Sequence, residues 1–188
     1  MPINIKANIK KISSVILATA LLSFSAPMPA WSENVGPFGF EVGEDKFEGI
    51  NDRLDRYYCK YGISEITSGK IAVCPSKKFD LDGLPKHNKV IFIFNEDSTL
   101  ICISMVLFDN FDIILSSLSS KYEIVLNKDG LIENHAILKS GNVNIYLNNN
   151  FKQSGIELIY STDEFDKKIK NYNEKKQKDK INKQVNQL

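Results

Sequence analysis

The stretch Asn88–Phe108, NKVIFIFNEDSTLICISMVLF, decides the fold. Two runs dense in Val, Ile, Phe and Leu, Val90–Phe94 and Leu100–Leu107, flank the polar segment Asn95-Glu96-Asp97-Ser98-Thr99. Apolar runs of this length around a turn-forming segment read as the two strands of a hairpin. The first strand is apolar on both alternating faces, Val90, Phe92 and Phe94 against Ile91 and Ile93. That pattern predicts a central strand covered on both sides, or on one side plus loop cover. Cys102, inside the second strand, reads as a buried free thiol acting as a small hydrophobe.

Upstream, Glu33–Gly43 reads as a short first strand anchored by Phe38 and Phe40. Asp45 then caps a helix over Asp45–Cys59, with Phe47, Ile50 and Leu54 on its core-facing stripe and Gly62 as its stop. Ile63–Thr67 and Lys70–Cys74 form a small hairpin around Ser68-Gly69. Pro75–Pro85 is a loop tacked to the core by Phe79, Leu81 and Leu84.

Downstream, Asn110 opens a helix to Ser120 whose Phe111, Ile114, Leu115 and Leu118 recur at helical spacing. Four short strands follow, Ile124–Leu126, His135–Lys139, Val143–Leu147 and Ile156–Ser161. Thr162-Asp163-Glu164 is a helix-start signal, and Phe165, Ile169 and Tyr172 give the next helix a docking stripe. Beyond Tyr172 the chain is nearly all Lys, Gln, Asn and Glu until Ile181 and Val185, and reads as a solvated, fraying tail. The expected class is α+β: a mainly antiparallel sheet with two amphipathic helices packed on it and a C-terminal helix. There is also a faint echo, a helix ending near Lys60-Tyr61 and another near Lys121-Tyr122, each followed by β-rich sequence.

The chain has 188 residues, 43% hydrophobic and 25% charged, which suits one globular domain with accessory ends. The N-terminus reads as a cleaved signal peptide, residues 1–32. Lys6, Lys10 and Lys11 form its basic region, and Ser13–Ala26 is an apolar segment too short to span a membrane. Cleavage is expected after Ser32, with Ala30 as the second choice. Removing three lysines from 24 basic and 23 acidic residues leaves 21 basic, a slightly acidic mature chain. Residues 33–172 then form the single domain, and residues 173–188 a lysine-rich polar tail. The expected location is periplasmic or secreted.

In an oxidising compartment Cys59 and Cys74 are the natural disulfide pair, although three cysteines permit three single pairings. A zinc site from Cys59, Cys74, His87 and Cys102 is the sharper alternative, and it lacks a C-x-x-C pair.

Catalytic constellations are sparse. His87 and His135 are the only imidazoles, no G-x-S-x-G elbow surrounds a serine, and no phosphate loop or dinucleotide fingerprint occurs. The carboxylate clusters are Asp80 with Asp82, Glu96 with Asp97, and Asp109 with Asp112. Each fits a turn, loop or helix start as well as it fits a glycan-cleaving pair. Asp80-Leu81-Asp82-Gly83 carries only half the ligands of a calcium loop. From Lys167 onward eight lysines face only Glu174 and Asp179. The tail lacks arginine, and no aromatic follows Tyr172, so it reads first as a solvated charge run and at most supports weak electrostatic association with a membrane surface rather than nucleic acid.

Phe38-Gly39-Phe40 with Gly43, the helix ending Lys-Tyr and the IFIFNEDSTL hairpin resemble small exported bacterial proteins of unassigned function. The helix-then-antiparallel-strand order is similar to the β-lactamase-inhibitor-protein-like group, which includes small outer-membrane assembly lipoproteins. The resemblance spans Phe38–Ser161 and implies a protein-binding scaffold. The chain departs from that group in lacking a lipobox cysteine and a convincing duplicated unit, and it transfers no site residue. The sequence thus leads to an exported, non-catalytic macromolecule-binding domain, inhibitor- or immunity-like, with no cofactor. The alternative is a carboxylate-dependent hydrolase acting on an envelope polymer.

Overall fold

The computed structural model describes residues 35–75, 87–128, 130, 133–150 and 155–185, with residues 87, 88, 150, 184 and 185 as backbone only. The signal-peptide segment 1–32 lies outside the described residues, as do Phe79, Leu81, Leu84 and the Asp80/Asp82 pair.

The expected hairpin forms as β3 (His87–Phe94) and β4 (Leu100–Leu107), with Asn95–Thr99 as its turn. Asp97 closes that turn by accepting hydrogen bonds from the Thr99 amide (3.0 Å) and from Lys46 Nζ (2.9 Å). The Thr99 hydroxyl, which donates to the same carboxylate at 2.7 Å, then Lys46 and the Thr99 amide, hold the Asp97 carboxyl at about 2, below the usual carboxylate range. One extra residue in β4, Ile101, makes a bulge between the Ile93–Cys102 and Phe94–Leu100 pairs.

Two more strands, β1 (Lys60–Ile63) and β2 (Lys70–Cys74), extend this hairpin on the β3 side. The intervening turn needs Gly69, because a Cβ there would collide with the carbonyl oxygens of Phe94 and Asn95. The remaining strands, β5 (Glu123–Lys128), β6 (Glu133–Ser140), β7 (Val143–Asn150) and β8 (Ile156–Thr162), form a second meander. All join one eight-stranded sheet in the order β1-β2-β3-β4-β8-β7-β6-β5, antiparallel at every step.

Helix α1 (Phe47–Arg56) precedes the first meander and α2 (Phe111–Ser119) precedes the second. One helix followed by four strands therefore occurs twice, and the strand order reads symmetrically outward from the β4–β8 seam. The Lys-Tyr echo falls at matching points, Lys60-Tyr61 opening β1 and Lys121-Tyr122 just before β5.

The inner sheet face and both helices share one core. Ile50 and Leu54 from α1, and Phe111, Ile114, Leu115 and Leu118 from α2, are buried with Phe92, Phe94, Ile103, Leu138, Ile145, Leu147 and Leu158. Asn110 caps α2, its side chain accepting from the Asp112 and Ile113 amides. The start of α1 differs from the expectation. Lys46, not Asp45, is its flanking residue, while the Asp45 side chain accepts from the Glu41 amide at 2.8 Å. The helix ends at Arg56 because Tyr58 turns to a φ of 57°, so Gly62 lies inside β1 rather than stopping a helix.

Residues 35–42 form no strand. Pro37–Gly39 is a single 3₁₀ turn, with Phe38 and Gly39 at positive φ, and Val42 N–H bonds back to Val35. This turn delivers Phe40 into the core, edge-on to Phe92 at 4.9 Å, with the Arg53 guanidinium 4.0 Å above its ring. Arg53 thereby lids the core.

Helix α3 (Asp163–Val185) crosses the opposite, outer face. Its first turn is capped by Thr162, whose hydroxyl accepts from the Phe165 amide. The helix continues through the segment expected to fray, and residues 173–183 are exposed. No helix among the described residues is long and apolar enough to cross a membrane.

Cys59 and Cys74 form a disulfide that ties the start of β1 to the end of β2, and Cys102 is a buried free thiol. Cys102 is on the outer side of the sheet, so no Cys59–Cys74–Cys102 metal cluster exists among the described residues. Burial, aided by Asp166 and Glu157, pushes its thiol well above the ordinary range.

Reduction should add two daltons to the purified protein, and Cys102 should alkylate only after unfolding. Cys59→Ser with Cys74→Ser should cost roughly 3 kcal/mol in urea unfolding, as for a closed loop of this size. Asp97 has a lowered pKa, so its contribution is complete above about pH 4 and fades as pH falls through about 2. Asp97→Asn should therefore flatten the fall of Tm over that window.

Candidate functional site on the outer sheet face

Strand register sorts the outer face into rows. Cys102, Ser161, Asn144, Lys139 and Glu123 are paired in sequence across β4, β8, β7, β6 and β5. The next row is Ser104, Ile159, Tyr146, Ile137 and Leu126, and the third is Val106, Glu157, Asn148, His135 and Lys128. Side chains alternate across a strand, so all three rows point away from α1 and α2.

Helix α3 covers this face unevenly. Its Phe165 and Ile169 share one apolar cluster with Ile66, Ile71, Ile91, Ile93, Ile101 and Cys102, the outward side chains of the first half and its β1–β2 turn, and with Ile159 of β8. Its first turn is anchored to the second half by Asp166. That carboxylate accepts from Ser161 Oγ (2.6 Å), Tyr146 OH (2.7 Å) and Asn144 Nδ2 (2.8 Å). Burial, then the bond to Asp166, raises the Tyr146 phenol so that it remains a donor. Farther along, Lys168 Nζ bonds Asn95 Oδ1 (2.9 Å) and Tyr172 OH bonds Glu65 (2.6 Å). Among the described residues, the helix thus covers the first half and the positions of β7 and β8 nearest its first turn, and none of its contacts reaches Ile137 or the row Glu157–Asn148–His135–Lys128.

The uncovered rows differ chemically from the covered ones. Where the first half presents Ile and Cys, the second presents half-buried Ile137, next to Tyr146 with its hydroxyl on Asp166, beside the polar row Glu157–Asn148–His135–Lys128. That polar row, with Glu133, Asn134 and Asn149, lines an open cleft of about 460 Å³. Asn148 Nδ2 donates to Glu157 Oε2 (3.4 Å), which turns its Oδ1 toward His135 Nδ1. An amide oxygen can only accept, so Nδ1 donates that bond, and in the neutral ring Nε2 presents the lone pair. Glu157 therefore orients His135 through Asn148. The row can accept hydrogen bonds from a ligand or take a proton from bound water, and no serine or cysteine among the described lining residues could serve as a nucleophile.

Of the residues singled out in the sequence whose side chains are described, His135 lies here and the turn and helix-start carboxylates do not. Glu96 and Asp97 stay in the β3–β4 turn, and Asp109 and Asp112 sit at the start of α2. Asn148 and Glu157 carried no local signal, because only the register of β6, β7 and β8 brings them beside His135. Compared with known proteins, the chain matches no family model, no curated protein and no solved structure.

Asp166→Ala leaves Tyr146, Asn144 and Ser161 without their acceptor, and should lower unfolding stability by about 2 kcal/mol. The measurement is urea unfolding, with accelerated amide exchange in Asp163–Ile169 as the local signature.

Proposed function

We propose that this is an exported, periplasmic or secreted domain that binds another protein across the outer face of β5–β8, in the manner of an inhibitor or immunity-type partner. The observation that carries the reading is the uneven coverage by α3. One half of the outer face is sealed by the chain's own helix, which also reaches Ile159 and bonds the Tyr146 hydroxyl, while the other keeps Ile137 half-buried beside an open row of hydrogen-bonding groups. An apolar centre with a polar border is the usual anatomy of a recognition surface. A protein-binding scaffold is also what the resemblance to the β-lactamase-inhibitor-protein-like group implies. Export rests on the N-terminal leader pattern, and the Cys59–Cys74 disulfide is compatible with it.

The test is capture of a partner from envelope extract, followed by affinity measurement with the identified protein. Ile137→Asp combined with His135→Asp should weaken binding roughly thirtyfold, as expected for central contact residues. Ile113→Asp, at an exposed site on α2, should leave it unchanged. Equal binding by the outer-face variant and the unaltered protein would refute the assignment.

A specific observation also favours the hydrolase reading: Glu133 and Glu157 line the same cleft as the oriented His135. On that reading Glu157→Gln preserves the shape but abolishes release of soluble fragments from isolated envelope polymer. If the unaltered protein releases none, the hydrolase reading is lost.

A further inference from the structure

Among the described residues the sheet ends in two strands with a free edge, β1 and β5, and the two are built differently. β1 has four residues, with Lys60 as its one charge and Gly62 in its interior, and a short edge carrying a lysine is a blunted one. β5 has six residues, Glu123-Ile124-Val125-Leu126-Asn127-Lys128, and pairs with β6 on one side only. All but Leu126 are exposed, Ile124 at 43% and Val125 at 59%. Its free edge therefore offers backbone groups for pairing beside uncovered apolar side chains.

The order of residues along β5 is self-complementary: an acid opens it, a lysine closes it, and Ile124, Val125 and Leu126 lie between. Neither the Glu123 nor the Lys128 side chain has an ion pair among the described residues. In a regular strand, residues five apart point to opposite faces, so these two charges would not share one. The bulge changes that. Val125 has no partner in β6, lying between the Ile124–Leu138 and Leu126–Ile137 pairs, and the alternation resets there. Glu123 and Lys128, paired with Lys139 and His135, both lie on the outer face, while Ile124 and Asn127, paired with Leu138 and Ala136, face inward. A bulge can blunt an edge, but this one brings the two end charges onto one face.

We propose that the chain forms a two-fold dimer by antiparallel pairing of β5 with β5 of a second copy. The axis passes between Val125 and Leu126, which sets Glu123 opposite Lys128 of the second copy and Ile124 opposite Asn127 of the second copy. Antiparallel pairing requires opposed residues to share a face, and the reset at Val125 satisfies this for both pairs. Opposite charges then meet at each end of the contact, around a centre made by Val125 and Leu126 of both copies. The occupant is a second copy because the charge order of β5 answers itself, whereas Lys60 would find no acid in β1 of a copy. Two eight-stranded sheets become one continuous sheet, and the outer faces of the two β5–β8 meanders adjoin. The paired strands run only about 20 Å, so the dimer is weak and depends on concentration.

The experiment uses the chain from Glu33 to Leu188, which contains every described element and omits the apolar leader. Sedimentation equilibrium from low micromolar to near-millimolar concentration should show monomer and dimer and no larger species. Amide exchange in Glu123–Lys128 should slow in the concentrated sample. Glu123→Lys alone, or Lys128→Glu alone, opposes like charges at both ends and should weaken the dimer about tenfold. The two changes together exchange the charges and should restore affinity to within about threefold of the parent. Both positions are exposed, so circular dichroism and Tm should stay near those of the parent in all three variants. A monomer at every concentration would overturn the proposal and leave this edge to a strand from a different protein. So would a dimer indifferent to the single reversals, a combined variant as weak as the single ones, or open-ended polymers from β5 pairing with β1 of the next copy.

Discussion

Six residue pairs, from Cys102 opposite Ser161 to Leu107 opposite Ile156, hold β4 against β8 and make one sheet from two meanders. Every larger feature depends on that seam. The four-strand halves place α1 and α2 on the same side, where a single core spans both. The seam also fixes which residues of β5–β8 face outward, since a slip of one residue would exchange the two faces. Ser161 and Thr162 at its end then launch α3, and Thr162 caps that helix through Phe165 N–H. A buried antiparallel seam satisfies its backbone polar groups within the sheet, so two halves with only a faint sequence echo can share one interior.

The two halves are alike in their order of elements and unlike in their outer faces. Ile71, Ile91, Ile93 and Cys102 demand cover, and Phe165 and Ile169 supply it. The corresponding face of the second half carries Asn144, Asn148, Glu157, His135 and Lys139, which tolerate water and pair with one another or with α3. Asp166 marks the boundary between these regimes, serving three donors of the second half while its neighbour Phe165 is buried in the first. One helix thus closes one half and borders the open face of the other. The outer surface of these strands can stay polar at no cost to the core, because their apolar side is already buried.

Much of this architecture was legible from local pattern. The hairpin Val90–Leu107, the stripe Phe111–Leu118 and the β8 run Ile156–Ser161 carry strong periodicity, and each forms close to its expected bounds. The double-sided apolarity of β3 also matches its environment, with α3 covering the second side. Local pattern misled where chain geometry overrode it. Pro37 and the positive φ of Phe38 turn an expected strand into a 3₁₀ turn, and Tyr58 ends α1 before Gly62. His135 was visible only as an isolated imidazole, and nothing near it in sequence foretold Asn148 or Glu157.

By itself, then, the sequence determined the hairpin at Asn88–Phe108, the α+β class and the existence of a C-terminal helix. These follow from side-chain periodicity and turn chemistry, which act over a few residues. Only the tertiary structure decided that β4 pairs with β8, that the helix-and-meander order repeats about that seam, and that α3 covers one half of the outer face. Those outcomes depend on contacts between residues far apart in the chain, whose free energy is set by mutual burial and register and leaves little trace in either segment alone. The open face of β5–β8 belongs to this second kind: its polar residues look like ordinary strand residues until the register aligns Glu157, Asn148, His135 and Lys128 in one row.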